Sequence, residues 1–329
     1  MWRYNTSKQA TMRSQIQFFL FIIIINLVSC VPDKQEPTPI FPVGTNPAII
    51  RLSEEIGKNP TDIKLYIQRA MLLYSEEDYD AAIKDAKVIL ASDSSNLDYR
   101  HLLADIYFDG DRDAEAIQML EGTLEIFPAS ERTLLKLSEY QYILDLYDPA
   151  LKTISTLMET KPNHVDGYYM QGRILGAKGD LVKAEQSFKA ALKEDPKHFD
   201  TLLELGTLLN NQEKKEALKY LKSAMMLSNN TPEVLFEMGN YYHSNNKLDE
   251  ALEYFKQATL LDSHFTEGYI NAGIVWLEKK DIPKAWDFFN MAVNVDPTYP
   301  EAYYYRGVAS TYKGKPEDAR ADYQQALQL

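Results

Sequence analysis

The sequence predicts an all-α solenoid of helix-turn-helix repeats, and three periodic series predict it. An alanine returns every 34 residues at Ala82, Ala116, Ala150, Ala184, Ala217, Ala251, Ala285 and Ala319, with one interval of 33 before Ala217. Twelve places before each alanine, or eleven at Ala217, stands a small residue: Ala70, Ala104, Ser138, Gly172, Gly206, Gly239, Gly273 and Gly307. Two small positions per period imply two helices in close contact. Seven places after each alanine runs a third, partly small series, Ile89, Thr123, Leu157, Ala191, Ala224, Ala258, Ala292 and Ala326, which marks contact with the following unit. The last five units keep the pattern strictly and the first three loosely. A sustained period means that each unit buries surface against its neighbours, so the 329 residues read as one elongated array without a central core.

Composition narrows the partners. The formal charge is −13, and the first 29 residues hold Arg3, Lys8 and Arg13 without an acid, so the remainder is more acidic still. Such a surface repels polyanions, and no basic stripe or aromatic stacking platform is visible; nucleic acid is therefore not expected as a partner, and basic or neutral protein surfaces fit better. Cys30 is the sole cysteine, which excludes an intrachain disulfide and a cysteine-based metal cluster.

The elements follow in chain order. Arg13 precedes QIQFFLFIIIINLVS, an apolar stretch too short to span a bilayer comfortably and ending in small residues, as secretory signals do. Leu27-Val28-Ser29-Cys30 resembles the bacterial lipobox, in which a diacylglycerol is attached to the cysteine sulfur and the signal is cut just before it. The resemblance implies a signal peptide over residues 1–29 and membrane attachment through lipid on Cys30. Met12 offers a more compact start to the same signal, and Val31 in place of aspartate favours the outer membrane. Residues 30–46 hold four prolines and no helical period, so they read as a tether able to reach roughly 50 Å at about 3 Å per residue. Residues 47–62 read as an N-terminal capping helix: Pro47 follows Asn46, and Ile49, Ile50, Leu52 and Ile56 share a face. Its phase is that of a second helix lacking its first.

Eight units then occupy 63–96, 97–130, 131–164, 165–198, 199–231, 232–265, 266–299 and 300–329. Gly179-Asp180, Asn245-Asn246 and Gly314-Lys315 supply turns between helices, and Pro128, Pro162, Pro196 and Pro297 stop second helices. In 266–299, Tyr269, Gly273, Trp276, Ala285, Phe289, Ala292 and Pro297 form a pattern that resembles the tetratricopeptide repeat, and 165–198 matches nearly as well. The resemblance covers essentially all of 63–329 and implies a right-handed superhelical solenoid of about eight helix-turn-helix units. Tyr66, Tyr168, Tyr269, Tyr303 and Tyr323 then belong to packing, as aromatics at periodic positions usually do.

Chemistry is hard to place on this array. Residues 109–113, DGDRD, open like a calcium loop, but positions six and twelve would be Ala114 and Leu120 where glycine and a bidentate acid are needed, so no metal is expected. None of the five histidines pairs at helical ligand spacing; His164, His198 and His264 fall between units and suit surface or capping roles. No nucleophile–base–acid set or phosphate loop stands in a convincing context, so neither an enzyme nor a cofactor is expected.

What the resemblance implies for binding is a groove lined by the first helix of each unit, chiefly at its second, fifth, ninth, twelfth and thirteenth places. Here the candidates are Tyr169, Arg173, Thr207, Asn210, Asn211, Phe236, Asn240, His243, Ile270, Ile274, Tyr304 and Val308. That mixture suits a peptide or helix with apolar anchors and flanking hydrogen bonds. The carboxylate clamp known in the family is not expected, because Phe236, Glu301 and Tyr305 stand where it needs basic groups, although Asn240 and Asn271 fit. Ala326, Leu327 and Leu329 on the last helix are expected to contact a partner or a second copy. The resulting expectation is a non-enzymatic lipid-anchored scaffold or adaptor of the bacterial cell envelope; alternatives are a chaperone for exported polypeptides and a regulatory subunit of a peptidoglycan or protease enzyme.

Overall fold

The structure, a computed structural model, describes residues 46–329 apart from 229 and 230. The signal segment, Met12, Cys30 and all of the tether except Asn46 lie outside the described residues. Among those described there are seventeen helices and no strand. Helix α1 (Pro47–Lys58) precedes eight helical hairpins: α2 (Ile63–Ser75) with α3 (Tyr79–Ser92), α4 (Leu97–Asp109) with α5 (Asp113–Ile126), α6 (Glu131–Ile143) with α7 (Tyr147–Thr160), α8 (Val165–Ala177) with α9 (Leu181–Glu194), α10 (Phe199–Asn211) with α11 (Ala217–Leu227), α12 (Pro232–Ser244) with α13 (Leu248–Leu261), α14 (Thr266–Glu278) with α15 (Ile282–Val295), and α16 (Pro300–Tyr312) with α17 (Pro316–Gln328). The hairpins group into two compact units, 46–162 and Asn163–Leu329, each with its own packing.

Helix ends are fixed locally. Asn46 accepts a hydrogen bond from the Ala48 amide, and Asp62, Asp78, Asn96, Ser130, Asp180 and Asp281 do the same for the helices they precede. Each satisfies an amide with no partner inside its helix, a contribution of about 1 kcal/mol. At the turn between helices every hairpin places one residue in the left-handed region: Glu77, Asp111, Asp145, Gly179, Glu213, Asn246, Lys280 and Gly314. All eight stand fifteenth in their repeat, and the amide after each bonds back to the first helix, as Asp78 does to the Leu73 carbonyl at 2.9 Å. Only three of these turns carry the glycine or asparagine that would announce such a conformation. The turn is therefore imposed by the helices that flank it.

The 33-residue interval is absorbed at the same turn. Helix α11 begins at Ala217 and has 11 residues, whereas the other second helices have 13 or 14. Removing a residue from its first turn leaves Ala217 in register with the alanines of the other hairpins, and it is fully buried like them.

Packing within each hairpin depends on the eighth place of the first helix and its partner on the second. In the second unit a side-chain carbon added to Gly172, Gly239 or Gly273 would sit 2.5 Å from the ring of Phe188, Phe255 or Phe289 respectively. In the first unit the eighth place is Ala70, Ala104 or Ser138, and the position sixteen later is aliphatic, Ala86, Leu120 or Ile154, all buried. A ring is accommodated only where the opposite backbone is bare. Each fully buried Phe contributes roughly 1.5–3 kcal/mol.

Buried polar clusters add to this in the outermost hairpins. In the first unit Arg69 donates to both carboxylate oxygens of Asp85 at 2.7 Å and to Ser53 of α1 at 2.9 Å. In the second, Arg306 donates to both oxygens of Asp322, at 3.0 and 2.6 Å, and to Asn290 at 2.8 Å. The spacings are identical, 16 residues on each side of the arginine. Ser53 on α1 takes the place toward Arg69 that Asn290 on α15 takes toward Arg306.

Two substitutions test this account in opposite directions. Gly239→Ala adds a methyl group against Phe255; overpacking of about 1–3 kcal/mol exceeds the roughly 1 kcal/mol gained in helix propensity, so the urea unfolding midpoint should fall. Lys280→Gly relieves the left-handed backbone at φ +63° and should raise it, by about 0.5–1 kcal/mol.

Candidate functional site

Within the second unit successive first helices touch one another, α8 with α10, α10 with α12, α12 with α14 and α14 with α16, whereas successive second helices make at most marginal contact. The unit thus curves with its first helices on the inner side. Places 2, 5 and 9 of each first helix, with 12 or 13, follow the i, i+3, i+7 spacing and form one stripe on that side.

The expected residues divide along this stripe. Asn210 and Ile270 are withdrawn from the surface, at 6 % and 5 % exposure: Asn210 accepts a hydrogen bond from Ser244 at 2.8 Å, and Ile270 lies in a core cluster with Ala285 and Phe289. Phe236 is half-buried, its ring 5.7 Å from that of Phe255 and 5.2 Å from that of Phe265. Place 5 faces the seam between first helices, so a large apolar side chain there is drawn into packing. Ile274 packs half-buried against the Ile270 cluster, and Thr207 and Val308 are half-buried as well.

Polar members of the stripe bridge consecutive repeats. Asn271 donates to the Asn240 carbonyl oxygen at 2.8 Å, and Asn240 donates to Glu237 at 3.4 Å. His243 Nε2 lies 2.9 Å from Glu278. Arg173 sits over the Tyr169 ring at 5.6 Å, and that ring lies 5.5 Å from His198, whose Nε2 is 3.2 Å from Asp166. Asn211 is exposed, and Tyr304 is 50 % exposed although it touches the rings of Tyr305 and Tyr323. Tyr312, not anticipated as a binding residue, is 69 % exposed at the end of the same helix. Leu327 on the last helix and Leu329 just after it are also exposed.

The first unit carries a different face, which sequence reasoning passed over. Lys136 donates to Asp105 at 2.6 Å, Tyr140 donates to the same carboxylate, and Tyr74 donates to Asp109 one turn further on. Tyr140 also stacks on Phe108 at 3.8 Å between centroids. Burial first, and then these carboxylates, hold both phenols well above their ordinary range, so they remain neutral donors. The signal was present as Asp, Lys and Tyr recurring 31 to 35 residues apart. Here the stripe closes on itself with ion pairs and offers little to a ligand. A cavity of about 660 Å³ opens elsewhere in this unit, between α5, α6 and α7, over Leu134, Leu137 and the Thr153–Gln141 hydrogen bond.

The histidines behave unequally. His164 and His198 accept amide hydrogen bonds at the starts of α8 and α10, as their loop positions suggested. His101 lies in the interior instead: it is 1 % exposed, with Nε2 2.9 Å from Thr133 Oγ1. The loop at residues 109–113 is the α4–α5 turn with Asp111 left-handed, and Asp109 is taken by Tyr74. Among the described residues no group of three His, Cys, Asp or Glu could hold a metal ion, and no helix is long and apolar enough to cross a membrane.

Three family models, each described as a tetratricopeptide repeat, match residues 73–132, 159–225, and 232–265 with 300–329. The chain is built of tetratricopeptide repeats. It is 28% identical over 167 residues to tetratricopeptide repeat protein 8 of Caenorhabditis elegans, a match covering 50% of this chain and 33% of that protein. It is 34% identical over 89 residues to an FK506-binding protein-like chain of Mus musculus, 26% of each. The matches thus span a third or less of these curated relatives. Among solved structures, the Cut9–Hcn1 hetero-tetramer of the APC/C aligns with a TM-score of 0.59 at 17% identity, over 85% of this chain and 55% of that one. A tetratricopeptide repeat protein from Parabacteroides merdae aligns with the same score at 14% identity, over 70% of this chain and 92% of that one. These likenesses establish the fold. Tetratricopeptide-repeat proteins typically mediate protein–protein interaction and are generally non-catalytic.

The buried His101 gives these repeats a defined acid response. Burial first, then Arg132 and Lys136, lowers its pKa from 6.5 to about 4. Between those values the unfolded chain binds the proton more readily, so the contribution to stability is complete above pH 6.5, declines as pH falls and levels off near pH 4. At pH 5 the loss is about 2 kcal/mol. The stability difference between wild type and His101→Gln, read from urea unfolding at pH 7 and pH 5, should shift by that amount against the wild type.

Proposed function

We propose that this protein is a non-enzymatic, lipid-anchored scaffold of the bacterial cell envelope that recruits other proteins on the first-helix stripe of its second unit. The observation that carries the binding part is the exposed end of that stripe, where Tyr304 and Tyr312 stand in solvent beside the half-buried Ile274 and Val308. Exposed tyrosines beside apolar surface are the composition of an interface centre, because each ring contributes a large contact area for two rotatable bonds. The anchoring part rests on sequence: Leu27-Val28-Ser29-Cys30 follows a short apolar segment, and the proline-rich stretch after it separates the repeats from the lipid. Val31 favours the outer membrane.

Two measurements test the two parts separately. Cys30→Ser should move the protein from the membrane fraction to the soluble fraction, and retention in the membrane would refute lipid anchoring. Crosslinking and co-purification from intact cells should recover a discrete folded partner. Tyr304→Ala combined with Tyr312→Ala should reduce that recovery by about tenfold or more, as the loss of two aromatic anchors implies. A heterogeneous set of unfolded polypeptides would instead indicate a chaperone.

A further inference from the structure

On α6, Leu134, Leu137 and Gln141 stand at places 4, 7 and 11, about half a turn around the helix from places 2, 5 and 9. They form the floor of the cavity of about 660 Å³, whose walls are α5 and α7. Those two second helices make at most marginal contact, so the cavity opens to solvent as a groove on the side away from the first-helix stripe.

The groove is wide because this hairpin lacks a ring. Place 4, place 11 and the two positions three and four after the repeating alanine hold at least one aromatic residue in every other hairpin, as Tyr107 in the second, Tyr168 with Phe188 in the fourth and Trp276 with Phe289 in the seventh. The third hairpin has Leu134, Gln141, Thr153 and Ile154 there. A neighbouring cavity shows what one ring does. It lies against Arg100, Tyr107, Gln118 and Met119, 34 residues before Leu134, Gln141, Lys152 and Thr153, and its volume is only about 190 Å³.

A polar group marks the same spot. The Thr153 hydroxyl donates to Gln141 Oε1 at 2.8 Å, which leaves Gln141 Nε2 with no partner among the described residues. Gln141 is 5 % exposed, and the cavity it lines is the free space this donor meets. Buried amide donors are nearly always paired, and an unpaired one gains a full hydrogen bond from any acceptor placed before it. The opening carries Glu121, Asp148 and Lys152, an excess of one negative charge, which disfavours a carboxylate or phosphate as that acceptor. A neutral oxygen on an aromatic ring satisfies both features.

We propose that this groove takes a tyrosine side chain from an extended segment of a partner protein, the ring lying on Leu134 and Leu137 and the phenol oxygen accepting from Gln141 Nε2. A phenylalanine would cover the leucines and leave the amide unpaired. The volume exceeds that of one ring and lies within the roughly 300–1,000 Å³ of ordinary ligand sites, so it has room for the residues on either side of the tyrosine. The site belongs to the outer side of the first unit and does not depend on the stripe of the second.

The test uses the full chain with methyl-labelled leucines, titrated by NMR with p-cresol and toluene, the side chains of tyrosine and phenylalanine, and with the blocked peptides Ser-Ala-Tyr-Ala-Ser and Ser-Ala-Phe-Ala-Ser. The Leu134 and Leu137 methyl signals should shift with p-cresol, and the tyrosine peptide should bind at least tenfold more tightly than p-cresol because its flanking residues cover more of the groove. Gln141→Leu should weaken p-cresol and the tyrosine peptide about fivefold or more while toluene and the phenylalanine peptide hold or gain. Gln141→Tyr returns a ring to place 11 and should abolish binding of all four, with the helical circular dichroism unchanged. Unshifted Leu134 and Leu137 signals, or binding that survives Gln141→Tyr, overturn the site. Equal losses for phenol and phenyl probes in Gln141→Leu overturn the role of the amide, and p-cresol binding as tightly as the tyrosine peptide overturns a polypeptide as the ligand.

Discussion

Everything in this protein hangs on the distance between two helices at one point, where the eighth residue of the first faces the side chain sixteen positions later on the second. In three hairpins of the second unit a glycine backbone presses against a phenylalanine ring, so closely that no side chain fits between them. That contact sets the angle of the hairpin, and the angle sets which residues face the next repeat. An array has no central core to correct a local error, so the geometry must be restated in every unit. The first unit restates it with smaller pieces, Ala or Ser against Ala, Leu or Ile. In two of its three hairpins, Ala104 with Leu120 and Ser138 with Ile154, the looser pattern is a similar volume divided differently.

Most of the fold was legible because it is written eight times. The buried alanines, the helix starts and the prolines that stop second helices recur at fixed offsets, and recurrence makes weak single signals strong. The left-handed turn residue was legible only at Gly179, Asn246 and Gly314; Glu77, Asp111, Asp145, Glu213 and Lys280 adopt the same backbone with no compositional mark. Their conformation follows from where the two helices end, which is a tertiary fact. The stripe was legible as a set of positions but not as a set of environments. Sequence spacing puts Asn210, Ile270 and Tyr304 on one face, and only packing separates a buried amide, a core isoleucine and an exposed phenol.

Polar residues on the inner side have two claims on them. Asn240 with Asn271, His243 with Glu278 and Ser244 with Asn210 each join consecutive repeats, and each hydrogen bond contributes about 1 kcal/mol to holding neighbouring hairpins in register. The same groups lie where a partner would lie. In the first unit this competition is resolved in favour of the array: Asp105 accepts from Lys136 and Tyr140 together, and Asp109 from Tyr74. In the second unit the groups that bridge repeats stand at places 6, 9, 12 and 13, and the second place is largely left over.

That remainder is where information about a partner can accumulate. A residue fixed by packing is constrained by its neighbours and reports on them; a residue that packing leaves alone is constrained only by solvent, helix electrostatics and whatever binds. Solvent is indifferent to the sign of a surface charge, and the helix dipole discriminates between the two ends of a helix without excluding lysine from its length. The lysines of these first helices stand just past their C-terminal ends, at Lys178, Lys279 and Lys313, where the dipole favours them. The acids of the second place and these lysines thus follow the helix dipole, and on this stripe the surface that packing and helix electrostatics leave for a partner to act on is the exposed phenols of Tyr304 and Tyr312.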